Sequence, residues 1–254
     1  MQGRWNLNGR KAMVTGASKG IGREIAKEFI ELGAYVIAVA RNAEELESIS
    51  SEVSAPDRLY IHSSDIRNKI DRESLFELIN IEFNSLDILI NNAGTNIRKR
   101  TEDYDNEELE FLLDTNLKAH FELTREAVKY LEHSDFPSIV NISSSAAVRI
   151  VKTGVPYAMS KAALSHMTRY LACEWGPKGI RVNAIEPWYI QTPLTEPVLN
   201  NEKAYNKIIE RTPMKRIGSV DEISGLAAFL CMMPASYING ECITVDGGAL
   251  KFLF

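Results

Sequence analysis

The chain has 254 residues, of which 45% are hydrophobic and 25% are charged, and its formal net charge is -5. This composition is typical of a globular protein with a sizeable core. A net negative charge opposes binding to polyanions, so we expect neither nucleic acid nor an anionic membrane as a partner.

Cysteine and histidine are used sparingly. Three isolated cysteines, Cys173, Cys231 and Cys242, and four scattered histidines indicate neither a disulfide framework nor a metal site. The start of the chain, MQGRWNLNGRK, has no apolar core of the signal-peptide type, and the run GLAAFLCMM is too short to span a bilayer. We therefore expect a cytoplasmic protein.

Apolar, β-branched runs alternate with amphipathic helical stretches along the whole chain. Strands that are apolar throughout and separated by helices predict a parallel sheet with helices on both faces. With right-handed crossovers, the chain is expected to form one α/β domain of the doubly wound Rossmann type over residues 1–254, with a seven-stranded parallel sheet. The predicted strands are KAMVTGA, YVIAVA, RLYIHSSD, LDILINNAG, SIVNISS, IRVNAI and CITVDGG.

The first predicted strand runs into TGASKGIG, a glycine-rich turn with the spacing G-x3-G-x-G. Such glycines let the backbone turn tightly and approach a pyrophosphate at the N-terminus of the next helix. The turn therefore predicts a dinucleotide site. The residues of the turn expected to contact the cofactor are Gly16, Ser18, Lys19, Gly20, Ile21 and Gly22.

The choice of cofactor follows from the charge at the end of the second strand. A carboxylate there would hold the ribose 2'-hydroxyl of NAD, whereas this strand ends in Ala40 and Arg41. Lys19 supplies a second cation from the glycine turn. Because both cations pair with phosphate, the sequence favours NADP(H) over NAD(H).

The predicted chemical centre is the segment YAMSK. Tyr157 and Lys161 are four residues apart on a predicted helix, so they share one face. A phenol with a pKa of about 10 needs roughly 4 kcal/mol of phenolate stabilisation to act as a base near neutral pH. We expect the Lys161 ammonium and a cationic nicotinamide to supply it together. Ser144, at the end of the preceding strand, is placed to stabilise a substrate oxygen.

Residues 193–216 break the alternation of strands and helices. They lie between a strand and the next helix, which in an open α/β sheet is a position over the ligand crevice. We expect them to form a lid over the substrate.

Five motifs resemble the short-chain dehydrogenase/reductase family in order and spacing. They are TGASKGIG, NNAG (91–94), Ser144 with YAMSK, RVNAIEP and VDGG (245–248), and together they cover essentially the whole chain. The resemblance implies an oxidoreductase that interconverts a ketone and a secondary alcohol, in a homotetramer or a homodimer. It implies that Tyr157 is the acid and base, that Lys161 lowers its pKa and holds the nicotinamide ribose, that Ser144 orients the carbonyl, and that Asn116 supports a proton-relay water.

The same resemblance implies further cofactor contacts. Asp65 resembles the acid that contacts adenine, and Pro187 and Thr192 keep the spacing of a strand-end loop that contacts the nicotinamide. The full set implied in this way is Asp65, Ile66, Asn92, Ala93, Gly94, Tyr157, Lys161, Pro187, Ile190 and Thr192.

Within the family, tropinone-reductase-like members are the most similar in sequence. Relatives of the gluconate 5-dehydrogenase type carry an arginine near Arg98, so a sugar-acid or keto-acid substrate is an alternative. A 3-oxoacyl-carrier-protein reductase is a further alternative, which Cys173 at the position of the docking arginine disfavours. A non-catalytic cofactor-binding protein is also disfavoured, because the chain keeps Tyr157 and Lys161.

One position departs from the family pattern. The strand-end motif usually reads P-G-x3-T, and Trp188 replaces the glycine here. We expect a negative φ at Trp188 and hypothesise that its indole either narrows the pocket beside Tyr157 or anchors the 193–216 lid. Finally, the apolar C-terminal residues 252–254 are expected to pack at a subunit interface.

Overall fold

A computed structural model describes residues 2–251 of the chain. The C-terminal residues 252–254 lie outside the described residues, so their packing at an interface stays a prediction. The strands are β1 (Lys11–Thr15), β2 (Tyr35–Ala40), β3 (Leu59–Ser63), β4 (Ile88–Asn91), β5 (Ser138–Ile142), β6 (Arg181–Pro187) and β7 (Cys242–Val245).

All seven strands form a single parallel sheet in the order β3-β2-β1-β4-β5-β6-β7. The chain runs outward from β1 to β3 and then crosses back to place β4 on the other side of β1. This reversal opens a crevice at the carboxyl ends of β1 and β4, where open α/β sheets bind their ligands. The predicted fold, a Rossmann-type doubly wound sheet, is confirmed.

Helices cover both faces of the sheet and follow the strands along the chain. They are α1 (Gly20–Glu31), α2 (Ala43–Glu47), α3 (Lys69–Glu82), α4 (Asn106–Leu113), α5 (Ala119–Leu131), α6 (Val155–Trp175), α7 (Glu196–Leu199), α8 (Glu202–Arg211) and α9 (Asp221–Cys231). The predicted 193–216 insertion thus contains two helices, α7 and α8, joined by a short turn.

The core consists of two apolar layers, one on each face of the sheet. On one face, Phe29 of α1 and Ala227 of α9 pack with Val14 of β1. On the other face, Leu75 of α3 and Leu123 of α5 pack with Met13 of the same strand. Adjacent residues of one strand therefore face opposite layers, as the period of a strand requires.

Polar side chains connect the carboxyl ends of the central strands. Asn91 at the end of β4 donates to Asn141 of β5 and to Thr124 of α5, at 2.8 Å each, and Asn141 donates to Thr168 of α6 at 2.8 Å. All four side chains are buried. Because a buried amide is costly unless it is hydrogen-bonded, this chain of bonds holds α5 and α6 in fixed positions against the sheet. No helix in the described part of the chain is both long enough and apolar enough to cross a membrane.

Candidate active site

A cavity of about 590 Å³ opens at the carboxyl ends of the strands on the β3 side of the switch point. Most residues predicted to bind the cofactor line it. Those residues are Gly16, Ser18, Lys19, Gly20, Ile21, Arg41, Asp65, Ile66, Asn92, Ala93, Gly94 and Thr192.

The glycine turn leaves no room for side chains where a dinucleotide would lie. Gly16 and Gly20 have φ angles of 65° and 59°, in the left-handed region that other residues rarely adopt. A Cβ on Gly16 would lie 2.8 Å from the Cα of Ala93, and one on Gly22 would lie 2.3 Å from the carbonyl oxygen of Gly16. Gly22 therefore packs the helix against the turn, outside the cavity wall. This cradle fits the pyrophosphate of a nicotinamide dinucleotide at the start of α1.

The adenine end of the cavity carries more charge than the sequence analysis predicted. Lys19 and Arg41 both line it, and Arg67 lines it as well. Arg67 forms a bidentate pair with Asp65, at 3.0 and 2.5 Å, and its guanidinium lies 5.0 Å from the centre of the Phe111 ring. This pairing holds the pKa of Asp65 below its usual range. Glu45 is a carboxylate at this end that the sequence analysis did not identify.

Asn92 braces the two strands that flank the switch point. Its side chain donates to the carbonyl oxygens of Thr15 at 2.9 Å and Gly16 at 3.2 Å, and its backbone N–H donates to the Thr15 hydroxyl at 3.0 Å. The glycine turn is thereby tied to the NNAG segment, which fixes the width of the cavity between them.

Tyr157 and Lys161 lie on the first turns of α6, beside the carboxyl end of β5. The helix begins after Gly154, whose φ of 97° requires glycine, and Pro156 occupies its first turn. The Lys161 ammonium lies 5.8 Å from the centre of the Tyr157 ring and donates to the carbonyl oxygen of Ile142 at 2.8 Å. Burial lowers the pKa of Lys161 to about 8.

Three consecutive serines follow β5, and their contacts distinguish them. Ser144 lies close enough to the Tyr157 hydroxyl to act on its pKa, and its hydroxyl accepts from the backbone N–H of Ala146 at 3.1 Å. Ser143 is buried and donates to the carbonyl oxygen of Lys161 at 3.0 Å, and Ser145 is also buried. Ser144 is thus the member of the triplet that meets the tyrosine.

The expected lowering of the Tyr157 pKa depends in part on a bound nicotinamide and stays a prediction. Burial raises the pKa of Tyr157, and the hydrogen bond with Ser144 and the positive charge of Arg98 oppose this shift without reversing it. Without a bound cofactor, burial thus favours the protonated phenol. This effect comes from the packing of segments around one hydroxyl group.

Asn116 lies in a π-helical turn, Asp114–Lys118, between α4 and α5. Its side chain accepts from the backbone N–H of Thr95 at 2.8 Å and donates to the Thr95 carbonyl at 2.9 Å. A Cβ on Gly94 would lie 3.1 Å from the Asn116 oxygen and 3.6 Å from the Lys161 nitrogen. Asn116 and Lys161 thus both approach Gly94 at the point where a side chain would project, and π-turns of this kind are frequent at functional sites.

His120, one of the four scattered histidines, is a buried neighbour of this centre that was not identified from the sequence. Its Nε2 lies 2.6 Å from the carbonyl oxygen of Ala93 and donates to it. Burial, followed by the charge of Lys161, lowers the pKa of His120 to about 3, so the ring is neutral. It supports the NNAG segment without adding charge.

The loop after β6 reaches both the cavity and the lid. Thr192 lines the cavity, whereas Pro187 and Ile190 do not. Ile190 instead lines a smaller cavity together with Trp188. Trp188 has no positive φ, as expected, and its indole N–H donates to the hydroxyl of Thr212 at 3.2 Å, just after α8.

Two further residues face the Tyr157 side of the site. Tyr189 stacks edge-on against Trp188, with ring centres 4.9 Å apart, and influences the pKa of Tyr157. Arg98 donates to the carbonyl oxygen of Leu194 at 3.2 Å, which links the loop after β4 to the 193–216 segment. Arg98 was identified from the sequence, and Tyr189 was not. The departure from the family motif pointed to its neighbour Trp188 instead.

Three catalytic candidates lie next to the cavity without lining it. Ser144, Tyr157 and Lys161 are grouped beyond Gly94, so the cavity wall ends where the chemical centre begins. Among residues 2–251, no group of three His, Cys, Asp or Glu side chains is placed to hold a metal ion.

Comparisons with known proteins agree with this geometry. The family model described as enoyl-(acyl carrier protein) reductase matches residues 16–249. A tropinone reductase homolog of Arabidopsis thaliana is 42% identical over 248 residues, which is 96% of this chain and 94% of that protein. A tropinone reductase homolog of Datura stramonium is 39% identical over 256 residues, which is 96% of this chain and 93% of that protein.

Solved structures agree with the fold over nearly the whole chain. A gluconate 5-dehydrogenase from Burkholderia cenocepacia, in complex with NADP and tartrate, superimposes with a TM-score of 0.92 at 27% identity and covers 98% of each chain. The aldohexose dehydrogenase of Thermoplasma acidophilum, in ligand-free form, superimposes with a TM-score of 0.86 at 32% identity and covers 97% of this chain and 96% of that one. This chain therefore belongs to the short-chain dehydrogenase/reductase family of nicotinamide-dependent oxidoreductases.

Proposed function

We propose that the protein is an NADP(H)-dependent oxidoreductase that interconverts a ketone and a secondary alcohol on a small molecule. The observation that carries the proposal is the grouping of Ser144 and Tyr157 with a buried Lys161, 5.8 Å from the Tyr157 ring, beside a dinucleotide-sized cavity. The tropinone reductase homologs at about 40% identity support the same reaction class.

The proton chemistry follows from the described contacts. Tyr157 keeps its proton at neutral pH, so it is suited to donate that proton to a carbonyl oxygen as the oxygen becomes an alcohol. Ser144 holds the same oxygen and stabilises the negative charge that develops on it. A bound nicotinamide supplies the hydride in this direction and takes it in the reverse one.

Lys161 and Asn116 are placed to support proton transfer to Tyr157 and not to bind the substrate. With a pKa of about 8, the Lys161 ammonium can return a proton toward Tyr157 at neutral pH more readily than an ordinary lysine. Asn116 holds Thr95 with both of its side-chain bonds, which fixes the backbone next to Gly94, close to the Lys161 ammonium. We assign to these residues the roles of proton reservoir and support.

The preference for NADP(H) rests on the charge at the adenine end. Three cations line that end of the cavity, namely Lys19, Arg41 and Arg67, against the carboxylates Glu45 and Asp65. Since Asp65 is neutralised by Arg67, Lys19 and Arg41 are available to a 2'-phosphate. The NADP bound to the Burkholderia cenocepacia relative is in line with this preference.

The test is turnover of a panel of ketones and alcohols by the wild-type protein with each cofactor. We expect reduction of ketones with NADPH at a kcat/KM at least about tenfold above that with NADH, since one charge-assisted phosphate contact is worth that factor. Equal use of both cofactors would contradict the NADP(H) preference, and turnover of no ketone or alcohol with either would contradict the enzymatic proposal.

A carboxylate-bearing ketone is a second candidate for the substrate, favoured by Arg98. Its guanidinium lies near enough to Tyr157 and Tyr189 to act on the pKa of both phenols. The tartrate bound to the gluconate 5-dehydrogenase relative is a dicarboxylate. Arg98 would hold the carboxylate as a bidentate partner while Ser144 and Tyr157 hold the ketone oxygen.

A matched pair of variants tests this candidate. We expect Arg98→Ala to remove a preference for a keto acid over its methyl ester, and Arg100→Ala to keep it. Arg100 is an exposed arginine two residues along whose partner is Glu102, so it controls for a general loss of positive charge. A wild-type protein that turns over the ester as well as the acid contradicts the anionic-substrate idea.

The lid and the assembly are also proposals. We propose that residues 193–216 close over the substrate, with Trp188 anchoring them through Thr212.

We propose that the protein is cytoplasmic and forms a homotetramer or a homodimer. The assembly is proposed because Val155, Met159 and Tyr170 leave apolar surface exposed on α6. Light scattering of the full chain tests the assembly, and a monomer at micromolar concentration would contradict it.

A further inference from the structure

Arg23, in the first turns of α1, joins two segments that line the adenine end of the cavity. Its Nη1 donates to the carbonyl oxygen of Ser18 at 3.0 Å and to the carbonyl oxygen of Glu45 at 2.7 Å. Its Nη2 donates to the hydroxyl of Ser48 at 2.8 Å and to the carboxylate of Glu52 at 2.6 Å. One guanidinium therefore connects the glycine turn, α2 and the turn that follows α2.

The two segments that Arg23 joins carry the cations of this end. Ser18 directly precedes Lys19 in the glycine turn, and α2 directly follows Arg41 and its N-cap Asn42. The N-cap is itself fixed, because the Asn42 side chain accepts from the backbone N–H of Glu45 at 3.1 Å. A single bond network therefore sets the distance between the backbone of Lys19 and the backbone of Arg41.

Arg23 is well placed to act through position rather than through its own charge. Its side chain is only 17% exposed, and Glu52 pairs with the guanidinium. Arg23 is not among the residues that line the cavity, whereas Ser18, Lys19, Arg41, Asn42 and Glu45 all line it. The planar guanidinium offers donors in a fixed geometry, which a lysine ammonium in the same place cannot reproduce.

We propose that Arg23 is a positioning residue for recognition of the 2'-phosphate: it holds the Ser18 turn against α2 so that Lys19 and Arg41 converge on one phosphate group. This inference rests on the proposed preference for NADP(H), and it assigns part of that preference to a residue that does not itself contact the cofactor. Loss of Arg23 leaves both cations in the chain but lets the two segments move apart.

Half-cofactor ligands isolate the effect from turnover. Adenosine 2',5'-bisphosphate and AMP differ by the 2'-phosphate and occupy only the adenine end, so the ratio of their dissociation constants, measured by calorimetry, reports recognition of that phosphate. We expect the wild-type protein to prefer the bisphosphate, and Arg23→Met to reduce the preference about tenfold with little change in AMP affinity, as weakening of one charge-assisted bond predicts.

Two further variants separate position from charge and from general damage. Lys27→Met is the matched control, because Lys27 pairs with the same Glu52 at 3.1 Å from the next turn of α1, and otherwise with Glu24 of its own helix. We expect it to keep the wild-type ratio. Arg23→Lys keeps the charge without the fixed fork, so we expect it to resemble Arg23→Met.

The outcomes distinguish the inference from the function it rests on. A wild-type protein that binds the two ligands equally contradicts the NADP(H) preference, and the role of Arg23 falls with it. A wild-type preference that survives in Arg23→Met, or that is kept by Arg23→Lys, contradicts the inference alone. Equal weakening of both ligands in Arg23→Met shows a general structural role and also overturns it.

Discussion

The two ends of the site are built in different ways. At the cofactor end, the surface is set by backbone: Gly16 and Gly20 adopt φ angles that favour glycine, and Asn92 ties their turn to the next strand. At the substrate end, the surface is set by side chains from separate loops, such as Arg98 and Tyr189. The cofactor end therefore suits one invariant ligand, whereas single side-chain substitutions can change the shape and charge of the substrate end.

This difference explains why the family pattern is kept at one end and departs at the other. Gly16 and Gly22 cannot accept a larger residue without a clash, so the structure of the turn requires glycine at these positions of the motif. Trp188 replaces the family glycine at the substrate end without adopting a positive φ. There the backbone tolerates the change, and the indole gains a contact with Thr212.

After loss of Tyr157 itself, the largest effect is expected from Ser144→Ala, at the boundary of the two ends. Removal of one preorganised donor to a developing oxyanion lowers kcat by about 10²–10³. The affinity for NADP+ should stay within about twofold of wild type, because Ser144 does not line the cofactor cavity. Steady-state kinetics and calorimetry measure the two quantities. As a control, Ser145→Ala should keep kcat within a few-fold, and an equal loss in both variants would contradict the assignment.

The pH dependence should follow Lys161. Burial lowers its pKa to about 8, so the ammonium is lost as the pH rises through that value. If the ammonium replenishes the proton of Tyr157, kcat/KM for reduction should fall about tenfold per pH unit above pH 8. A profile that is flat to about pH 10 would contradict this role.

The same pKa predicts a stability effect of defined sign. In the unfolded chain the lysine has a pKa of about 10.4, so between pH 8 and 10 the unfolded state binds more protons than the folded state. The free energy of unfolding should therefore rise with pH in this window for wild type relative to Lys161→Met. An unfolding titration that shows no difference in slope would mean that the lysine is less buried than the structure indicates.

A smaller effect, confined to the cofactor end, is expected from Gly22→Ala. The added Cβ would lie 2.3 Å from the Asn92 amide nitrogen and from the Gly16 carbonyl oxygen, and such overpacking costs about 1–3 kcal/mol. We expect lower stability and about tenfold weaker NADP+ binding, with kcat at saturation unchanged. Gly225→Ala is the control, since the nearest atom lies at 3.8 Å and a helical alanine should be neutral or stabilising.

The smallest effect is expected from Thr212→Val at the substrate end. The change keeps the side-chain volume but leaves the indole N–H of Trp188 without its acceptor, which costs about 1 kcal/mol. We expect a substrate KM about threefold higher and no change in cofactor affinity. Because removing both partners is milder than removing one, Thr212→Val with Trp188→Phe should be less impaired than Thr212→Val alone. An increase in the cofactor dissociation constant would mean that this contact belongs to the cofactor end.

The sequence predicted the features that depend on local pattern. The alternation of apolar strands and amphipathic helices was enough for the sheet and its parallel strands, and the glycine spacing was enough for the cradle. The features it missed depend on the three-dimensional structure. Arg67 pairs with Asp65, two residues away, because a tight turn follows β3. Arg98 and Tyr189, which lie far from Tyr157 in the chain, come close enough to act on its pKa.

The 193–216 segment illustrates the same limit. Its position between a strand and a helix predicted a lid, but the pattern did not show that it contains α7 and α8. Its contacts with the rest of the site, through Leu194 to Arg98 and through Thr212 to Trp188, join residues that are far apart in the chain. Spacing along the sequence carries no information about such pairs.

We propose that Tyr157 is the proton donor and acceptor for a reaction at a site that binds the cofactor independently of it. The most direct measurement is a comparison of Tyr157→Phe with wild type for NADP+ binding by calorimetry and for hydride transfer from NADPH to a ketone substrate. We expect a dissociation constant within about twofold of wild type and a kcat lower by about 10²–10⁴, the range of general acid catalysis. A variant that binds the cofactor normally and keeps most of its turnover would show that Tyr157 is not the proton donor.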